Sequence, residues 1–275
     1  MTAERTAPRL GLIADCQYAD KPDAPPRLYR RAAGKLEAAL AHLAGEALDG
    51  LVHLGDFIDG DWASYDTLAP IEAKARPPLR HVLGNHDFHV AAPRKEDVPA
   101  RLGLPGRRDA FDLGRWRILI ADGNAYSLHA WPPGSARHRE SQALHAGTYP
   151  DRPGWCGALG EAELDWLDAE LAAADAAGRP ALILCHYPVF PDDVHCLWDA
   201  SPVRARLNRH TSLKAWIAGH KHDGMYGEDA DGVHHLTLKA MLDTEDTAYA
   251  IASLHPDRID LTGFGRQDSL ELRLR

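Results

Sequence analysis

Five short stretches of this 275-residue chain carry side chains able to hold a cation or move a proton at the end of an apolar run. They are ADCQ at 14–17, GDFIDG at 55–60, GNHD at 84–87, CHYP at 185–188 and GHKH at 219–222. Together they offer Asp15, Gln17, Asp56, Asn85, His86, His186, His220 and His222. Carboxylate and amide oxygens mixed with imidazole nitrogens suit Mn²⁺, Fe²⁺ or Zn²⁺ better than Ca²⁺ or Mg²⁺, which prefer oxygen alone. Two such ions about 3.5–4 Å apart can clamp both the attacking and the leaving oxygens of a displacement at phosphorus. Each stretch alone has a plainer reading. An Asp after a strand is most often a turn or cap residue, Gly-Asn is a turn, His186 alone is a core histidine, and alternate strand residues share a face for many reasons. Five in this order point to a site.

The elements that must carry these groups are legible as strands: 8–15, 51–56, 79–87, 181–188 and 213–220. They are nearly continuous in apolar residues, as strands buried on both faces are. In α/β sheets ligands sit outside the carboxyl ends of strands, so the five tips are expected to converge on one crevice. Between them, periodicity predicts a helix over 28–47, with Leu28, Leu36, Leu40, Leu43 and Ala47 on one face, and a short helical region broken by Pro70. A second well-marked helix is expected over 161–177, with Gly178 as its stop, and a short one starting at Ser201-Pro202, residue types of N-cap and N1. Residues 109–122 read as a hairpin around Leu113-Gly114 and 123–157 as a long functional loop without period. The tail from Gly232 holds alternating strands. No repeat or low-complexity linker interrupts the chain, so a single domain over 1–275 is expected.

Composition narrows the partners. A net charge of −9 and a pI near 5.9 argue against a general nucleic-acid or membrane-surface binder, since either wants a basic face. Met1–Pro8 is polar and no apolar run reaches about 18 residues, so neither a signal peptide nor a membrane span is expected. Cys16, Cys156, Cys185 and Cys196 show no CxxC spacing, the pattern of reduced thiols and a cytoplasmic address.

The order D-x-Q, G-D-x-x-D, G-N-H-D, H and G-H-x-H resembles the calcineurin-like metallophosphoesterase superfamily. The resemblance implies an α/β fold, a two-sheet β-sandwich flanked by helices in αββα layers, with a dimetal site at the strand ends. It implies that Asp15, Gln17, Asp56 and His222 hold one metal, and that Asp56 bridges to a second held by Asn85, His186 and His220. His86 would face the substrate, with Asp59 as the carboxylate that orients it. More narrowly, GLIADCQYAD, HLGDFIDG, LGNHDF, LDWL, HYPVFP and AGHKHDGMYGED are similar to the Mn²⁺-dependent ADP-ribose/CDP-alcohol diphosphatases. That likeness runs from Leu10 to about Arg266, includes CLWD (196–199) and GFGR (263–266), and lapses within residues 90–155. It implies a dimetal hydrolase that splits small nucleoside-diphosphate conjugates into a nucleoside monophosphate and a phosphorylated alcohol or sugar. The alternatives on the same fold are a cyclic-nucleotide or other phosphodiesterase and a non-catalytic metal-binding scaffold. Gly60 stands where Ser/Thr phosphoprotein phosphatases place Arg, which counts against a phosphoprotein substrate.

Elementary chemistry agrees with these roles. His86 cannot easily bind the same ion as its neighbour Asn85 while both keep good rotamers, which leaves it free to protonate a leaving oxygen. With Asp15 and Asp56 as the anionic ligands, two dications retain a charge of roughly +2, which matches a phosphodiester or diphosphate. Gln17 offers a neutral amide oxygen where most relatives place His, so Mn²⁺ is favoured, with Fe²⁺, Zn²⁺ or Mg²⁺ as other candidates. Weaker candidates are Arg27, Arg30 and Arg31 as phosphate contacts, Tyr18 and Cys196-Leu197-Trp198 as pocket walls, and the loop from Trp155 to Leu159 as an approach to the site. His129, His138, His145, His195, His210, His234 and His235 lack motif context, and surface or core roles are expected for them.

Overall fold

The structure, a computed structural model, describes residues 7–275. Residues 1–6, on which the reading of a polar chain start partly rests, lie outside them. In chain order the first half runs β1 (Arg9–Ile13), α1 (Ala32–Ala44), β2 (Gly50–His53), α2 (Trp62–Glu72), β3 (Leu79–His81), α3 (Val98–Arg101), β4 (Asp109–Leu113), β5 (Trp116–Ile120), β6 (Tyr126–Ser127) and α4 (Ala136–Thr148). The second half runs β7 (Gly157–Ala158), α5 (Gly160–Ala176), β8 (Ala181–Leu184), α6 (Ala200–Leu207), β9 (Leu213–Ala218), β10 (Met225–Glu228), β11 (His234–Thr237), β12 (Ala248–Leu254), β13 (Arg258–Gly265) and β14 (Leu270–Arg273).

Two six-stranded sheets form the body, ordered β14-β13-β12-β1-β2-β3 and β10-β11-β9-β8-β5-β4. Parallel pairs occupy the inner positions of the second sheet and the β1-β2-β3 half of the first, whereas β12 to β14 form an antiparallel flank. Successive strand residues point to opposite faces. In the second sheet Ile118, Ile120, Leu182, Leu184, Ala215 and Ile217 join one buried cluster with Leu10, Leu12, Val52 and Ile251 of the first sheet. Their alternates Leu119, Ile183 and Trp216 pack with Leu164, Leu167 and Leu171 of α5 and Val203 and Leu207 of α6. Apolar residues on both sides of these strands are therefore what layering requires, and the expected αββα arrangement is the one observed. No helix among the described residues is long and apolar enough to cross a membrane.

Four local expectations need correction. The first helix is shorter than 28–47, because Tyr29–Arg31 form a 3₁₀ turn and Gly45 closes α1. Pro70 does not break α2; it sits in the last turn, and the helix ends two residues later. The 123–157 segment is not structureless. It contains α4, capped by Ser135 Oγ accepting from His138 N–H at 3.2 Å, and it shows no period because Ser141 is the helix's one buried residue. The short helix α6 begins at Ala200 with Asp199 at its cap, so Ser201 and Pro202 fall inside its first turn, where a missing N–H leaves no bond unmade.

Candidate metal centre

The expected crevice lies between two sheets rather than at the edge of one. Asp15 and Gln17 follow β1, Asp56 follows β2, and Asn85 and His86 follow β3, all in the first sheet. His186 follows β8 and His220 and His222 follow β9, in the second. Immediately after the strands the backbone leaves regular geometry: Asp15, Gln17, Asp56 and His220 have φ of 52°, 43°, 57° and 71°. For residues with a Cβ the left-handed region costs about 1–2 kcal/mol each, and such strain gathers where function over-determines the chain. The glycines of the motifs admit close approach. A Cβ at Gly84 would stand 2.1 Å from Asp56 N, and one at Gly219 would stand 2.7 Å from Asp15 Oδ2.

Donor atoms converge where these tips meet. Asp56, His186 and His220 place ligand atoms within 4.8 Å of one another, all buried. The Nδ1–H of His186 goes to the Leu54 carbonyl at 2.9 Å, which turns Nε2 toward Asn85 Oδ1 at 3.0 Å, His220 Nδ1 at 3.2 Å and Asp56 Oδ2 at 3.3 Å. Four ligand atoms turned on one point beside a buried carboxylate call for positive charge there, which a proton on His186 supplies in the absence of metal and a bound cation would replace. Asp15 and His222 lie outside this tight group. Asp15 accepts the His220 N–H at 3.1 Å, and His222 has its Nδ1 3.0 Å from Asp243 Oδ1, so its Nε2 remains for a ligand. Gln17 donates Nε2–H to Asp56 Oδ2 at 2.8 Å, while its Oε1 is buried with no partner among the described residues. An orphaned acceptor beside a carboxylate fits a cation and is otherwise costly. The residues present therefore fit a site for divalent metal.

Electrostatics divide the carboxylates. Burial lifts Asp15 to about 6 despite the neighbouring histidines. Burial would also raise Asp56, yet His186 and His86 hold it well below the usual carboxylate range. Burial alone would lower His186, but the charge of Asp56 carries it up to about 9. His86 is raised as well: burial opposes the shift, and Asp56 and Asp59 outweigh it. Its Nδ1 pairs with Asp59, whose other oxygen takes Lys21, so the ring keeps Nε2 for the open side.

That open side is a cavity of about 550 Å³ lined by Gln17, Asp56, Asn85, His86, His220 and His222 together with Arg27, Trp155, His195 and Lys221. Neither Arg27 nor Lys221 has a carboxylate within 4 Å among the described residues. Arg30 pairs instead with Asp20, and Arg31 with Asp23 and Glu245, as surface residues do. Trp155 is 40% exposed, with its ring 5.2 Å from that of His220, so its loop does approach the site. Trp198 is a core residue that donates Nε1–H to the Pro153 carbonyl at 2.9 Å, holding that loop from behind. Tyr18 and Cys196 do not line the cavity. His195 departs from the surface or core role expected of it: it sits on the cavity wall with Nδ1 2.5 Å from Asp193 Oδ1.

Two supporting carboxylates escaped the sequence. Asp87 accepts four backbone N–H groups, from Gly84, Asp56, Phe57 and Ile58 at 2.9–3.3 Å, and so locks the loops after β2 and β3 together. The GNHD motif contained it without showing this use. Asp243 behind His222 belongs to no motif, and nothing local to LDTED signals it.

Comparison with known proteins decides the family. Residues 8–224 match the family described as calcineurin-like phosphoesterase. The chain belongs to that family. Among curated calcineurin-like relatives, the manganese-dependent ADP-ribose/CDP-alcohol diphosphatase of Danio rerio is 30% identical, over 95% of this chain and 97% of the relative. The Arabidopsis thaliana protein of the same description is 28% identical, over 95% of each. Among solved structures, a dimetal phosphatase from Danio rerio superposes with a TM-score of 0.86 at 26% identity, covering 98% of this chain and 100% of that one. The calcineurin-like chain described here is a metal-dependent phosphohydrolase.

Proposed function

We propose that this phosphohydrolase cleaves the diphosphate linkage of small nucleoside-diphosphate conjugates, ADP-ribose and CDP-alcohols among them, giving a nucleoside monophosphate and a phosphorylated alcohol or sugar. Two divalent ions serve it, with Mn²⁺ favoured. Asp15, Gln17, Asp56 and His222 hold one, and Asn85, His186 and His220 with the shared Asp56 hold the other. The whole chain acts as one domain. The observation that carries the reading is the set of inward-facing ligand atoms around Asp56, opening into a cavity that also presents two cations with no acidic partner among the described residues. The names of the full-length relatives support the substrate class. The four unpaired, buried cysteines support a reducing, cytoplasmic setting, and the −9 charge leaves nucleic acid an improbable partner.

Bound ions would supply Lewis-acid activation of a water and neutralise charge on the attacked phosphoryl group. The protein's own groups do the rest. His86, protonated and held by Asp59 through Nδ1, delivers its Nε2 proton to the bridging oxygen as the P–O bond breaks. Asp56 accepts the His86 backbone N–H at 2.7 Å, which ties the proton donor to the ligand loop. Arg27 and Lys221 attract the phosphates, and the exposed face of Trp155 offers a flat apolar wall to a base.

The test is a substrate panel with Mn²⁺: ADP-ribose, CDP-choline, CDP-glycerol and cyclic AMP, with bis-p-nitrophenyl phosphate as a generic diester. The diphosphate conjugates are expected to have the highest kcat/KM. A preference for cyclic AMP would replace the reading with a cyclic-nucleotide phosphodiesterase, and no hydrolysis of any substrate by metal-loaded protein would leave a binding scaffold.

A further inference from the structure

Lys35 lies on α1, away from the cavity, and its ammonium is half-buried with four backbone carbonyls as partners. Nζ donates toward Met241 O at 2.9 Å, Leu242 O at 3.1 Å, Asp243 O at 3.3 Å and Thr244 O at 2.6 Å. It has no carboxylate within 4 Å among the described residues. Withdrawing an ammonium from water without a counter-charge is unfavourable, and a methionine would fill the same space, so packing alone does not explain a lysine here. What the charge does is gather carbonyl dipoles that would otherwise repel one another.

The segment so gathered is a strap across the candidate centre. While its carbonyls turn to Lys35, its N–H groups turn the other way: Met241 N to Ala14 O at 2.9 Å, Leu242 N to Asp15 O at 3.0 Å and Thr244 N to Pro26 O at 2.7 Å. Ala240 N reaches the His222 carbonyl at 3.0 Å. Thr244 closes the turn with φ of 59°, a conformation that needs outside support. Asp243, in the middle of the strap, projects its carboxylate onto His222 Nδ1 at 3.0 Å. A carboxylate in that place fixes the tautomer and aim of a ligand histidine, and losing it weakens metal binding.

We infer that Lys35 is a positioning residue for the metal centre, acting through the carbonyls of the 241–244 strap and Asp243 on His222. The inference rests on the metal-centre reading above. The lysine lies outside the cavity wall, which the strap reaches only through Asp243; together they set where the His222 ring points and where the Asp15 peptide sits.

A double-mutant cycle tests this. Lys35→Met, Asp243→Ala and the double variant are compared with wild type for Mn²⁺ affinity, read directly from the electron paramagnetic resonance of free Mn²⁺, and for Tm in excess chelator. Each single change is expected to weaken the more loosely bound Mn²⁺ about 10- to 100-fold. The double variant is expected to lose no more than Asp243→Ala alone, because both act along one path. An unchanged Mn²⁺ affinity in Lys35→Met, with only a lower Tm in chelator, overturns the inference and leaves a structural tie between α1 and the strap. Losses that multiply in the double variant overturn it too. Should Lys35→Met fail to fold, Lys35→Gln, with amide donors but no charge, takes its place under the same expectations. Wild type that binds no Mn²⁺ would instead remove the metal-centre reading itself.

Discussion

Nε2 of His186 lies 3.3 Å from Oδ2 of Asp56, an imidazole of one sheet against a carboxylate of the other. The same carboxylate takes the Gln17 amide on Oδ2 and the His86 N–H on Oδ1. Asp56→Asn is therefore expected to reduce activity more than any other single ligand change, since it weakens both ion positions and releases the His86 loop. Inductively coupled plasma analysis should find about two ions per wild-type chain. A wild type active with one ion would sink the bridging role, as would a milder loss in Asp56→Asn than in His222→Ala.

His86→Ala should retain its ions and lose about 10²- to 10⁴-fold in kcat on a diphosphate conjugate, the range for a positioned proton donor. The loss should shrink for p-nitrophenyl esters, whose leaving group needs no proton. Parallel kcat measurements on both substrate types decide it: equal losses would assign His86 to charge stabilisation alone, and loss of metal would make it a ligand.

Gln17→His replaces a weak, hard donor by a borderline one. Tighter binding and a shift of preference from Mn²⁺ toward Zn²⁺ or Fe²⁺ are expected, with the fold intact because no charge is buried by the exchange. Activity against concentration for Mn²⁺, Zn²⁺ and Mg²⁺ measures this. Superimposable curves for the two proteins would mean that the buried Oε1 never meets an ion.

Glu163, on α5, accepts the Asp122 N–H at 3.0 Å and pairs with Arg108, and burial together with the charge of Asp122 lifts it from 4.5 to about 7. A carboxyl raised in the folded state contributes stability in full below its ordinary pKa and loses it as pH rises through the folded value. Glutamine cannot ionise, so the Tm of Glu163→Gln relative to wild type should climb between pH 5 and pH 8. Each unit of displacement is worth about 1.4 kcal/mol, and about 1 kcal/mol moves the Tm of a chain this size by about 2–4 °C. Thermal melts at the two pH values check it, and a difference independent of pH would mean that Glu163 is already ionised in the folded protein at pH 5.

The residues of the candidate centre were readable because each lies in a short contiguous motif beside an apolar strand, and strands buried on both faces announce themselves. What supports them was not readable, for definite reasons. Asp243 and Lys35 act across 21 and more than 200 residues, where neither spacing nor period carries a signal. Helix α4 was hidden because a helix with one buried residue has no apolar stripe to show. His195 looked like any unattached histidine until the fold brought it to the cavity wall. The left-handed backbone at Asp15, Asp56 and His220 was equally silent, since Asp and His, although enriched there, adopt it at only a small fraction of their positions.

The meeting of two sheets at one set of side chains has a mechanical side. An ion held, as proposed, by Asp56 and Asn85 from one layer and by His186 and His220 from the other would be a rivet through the sandwich. Chelation would then do more than stop a reaction: it would unfasten the two halves of the molecule at that edge, and catalytic competence and cohesion would rise and fall on the same occupancy.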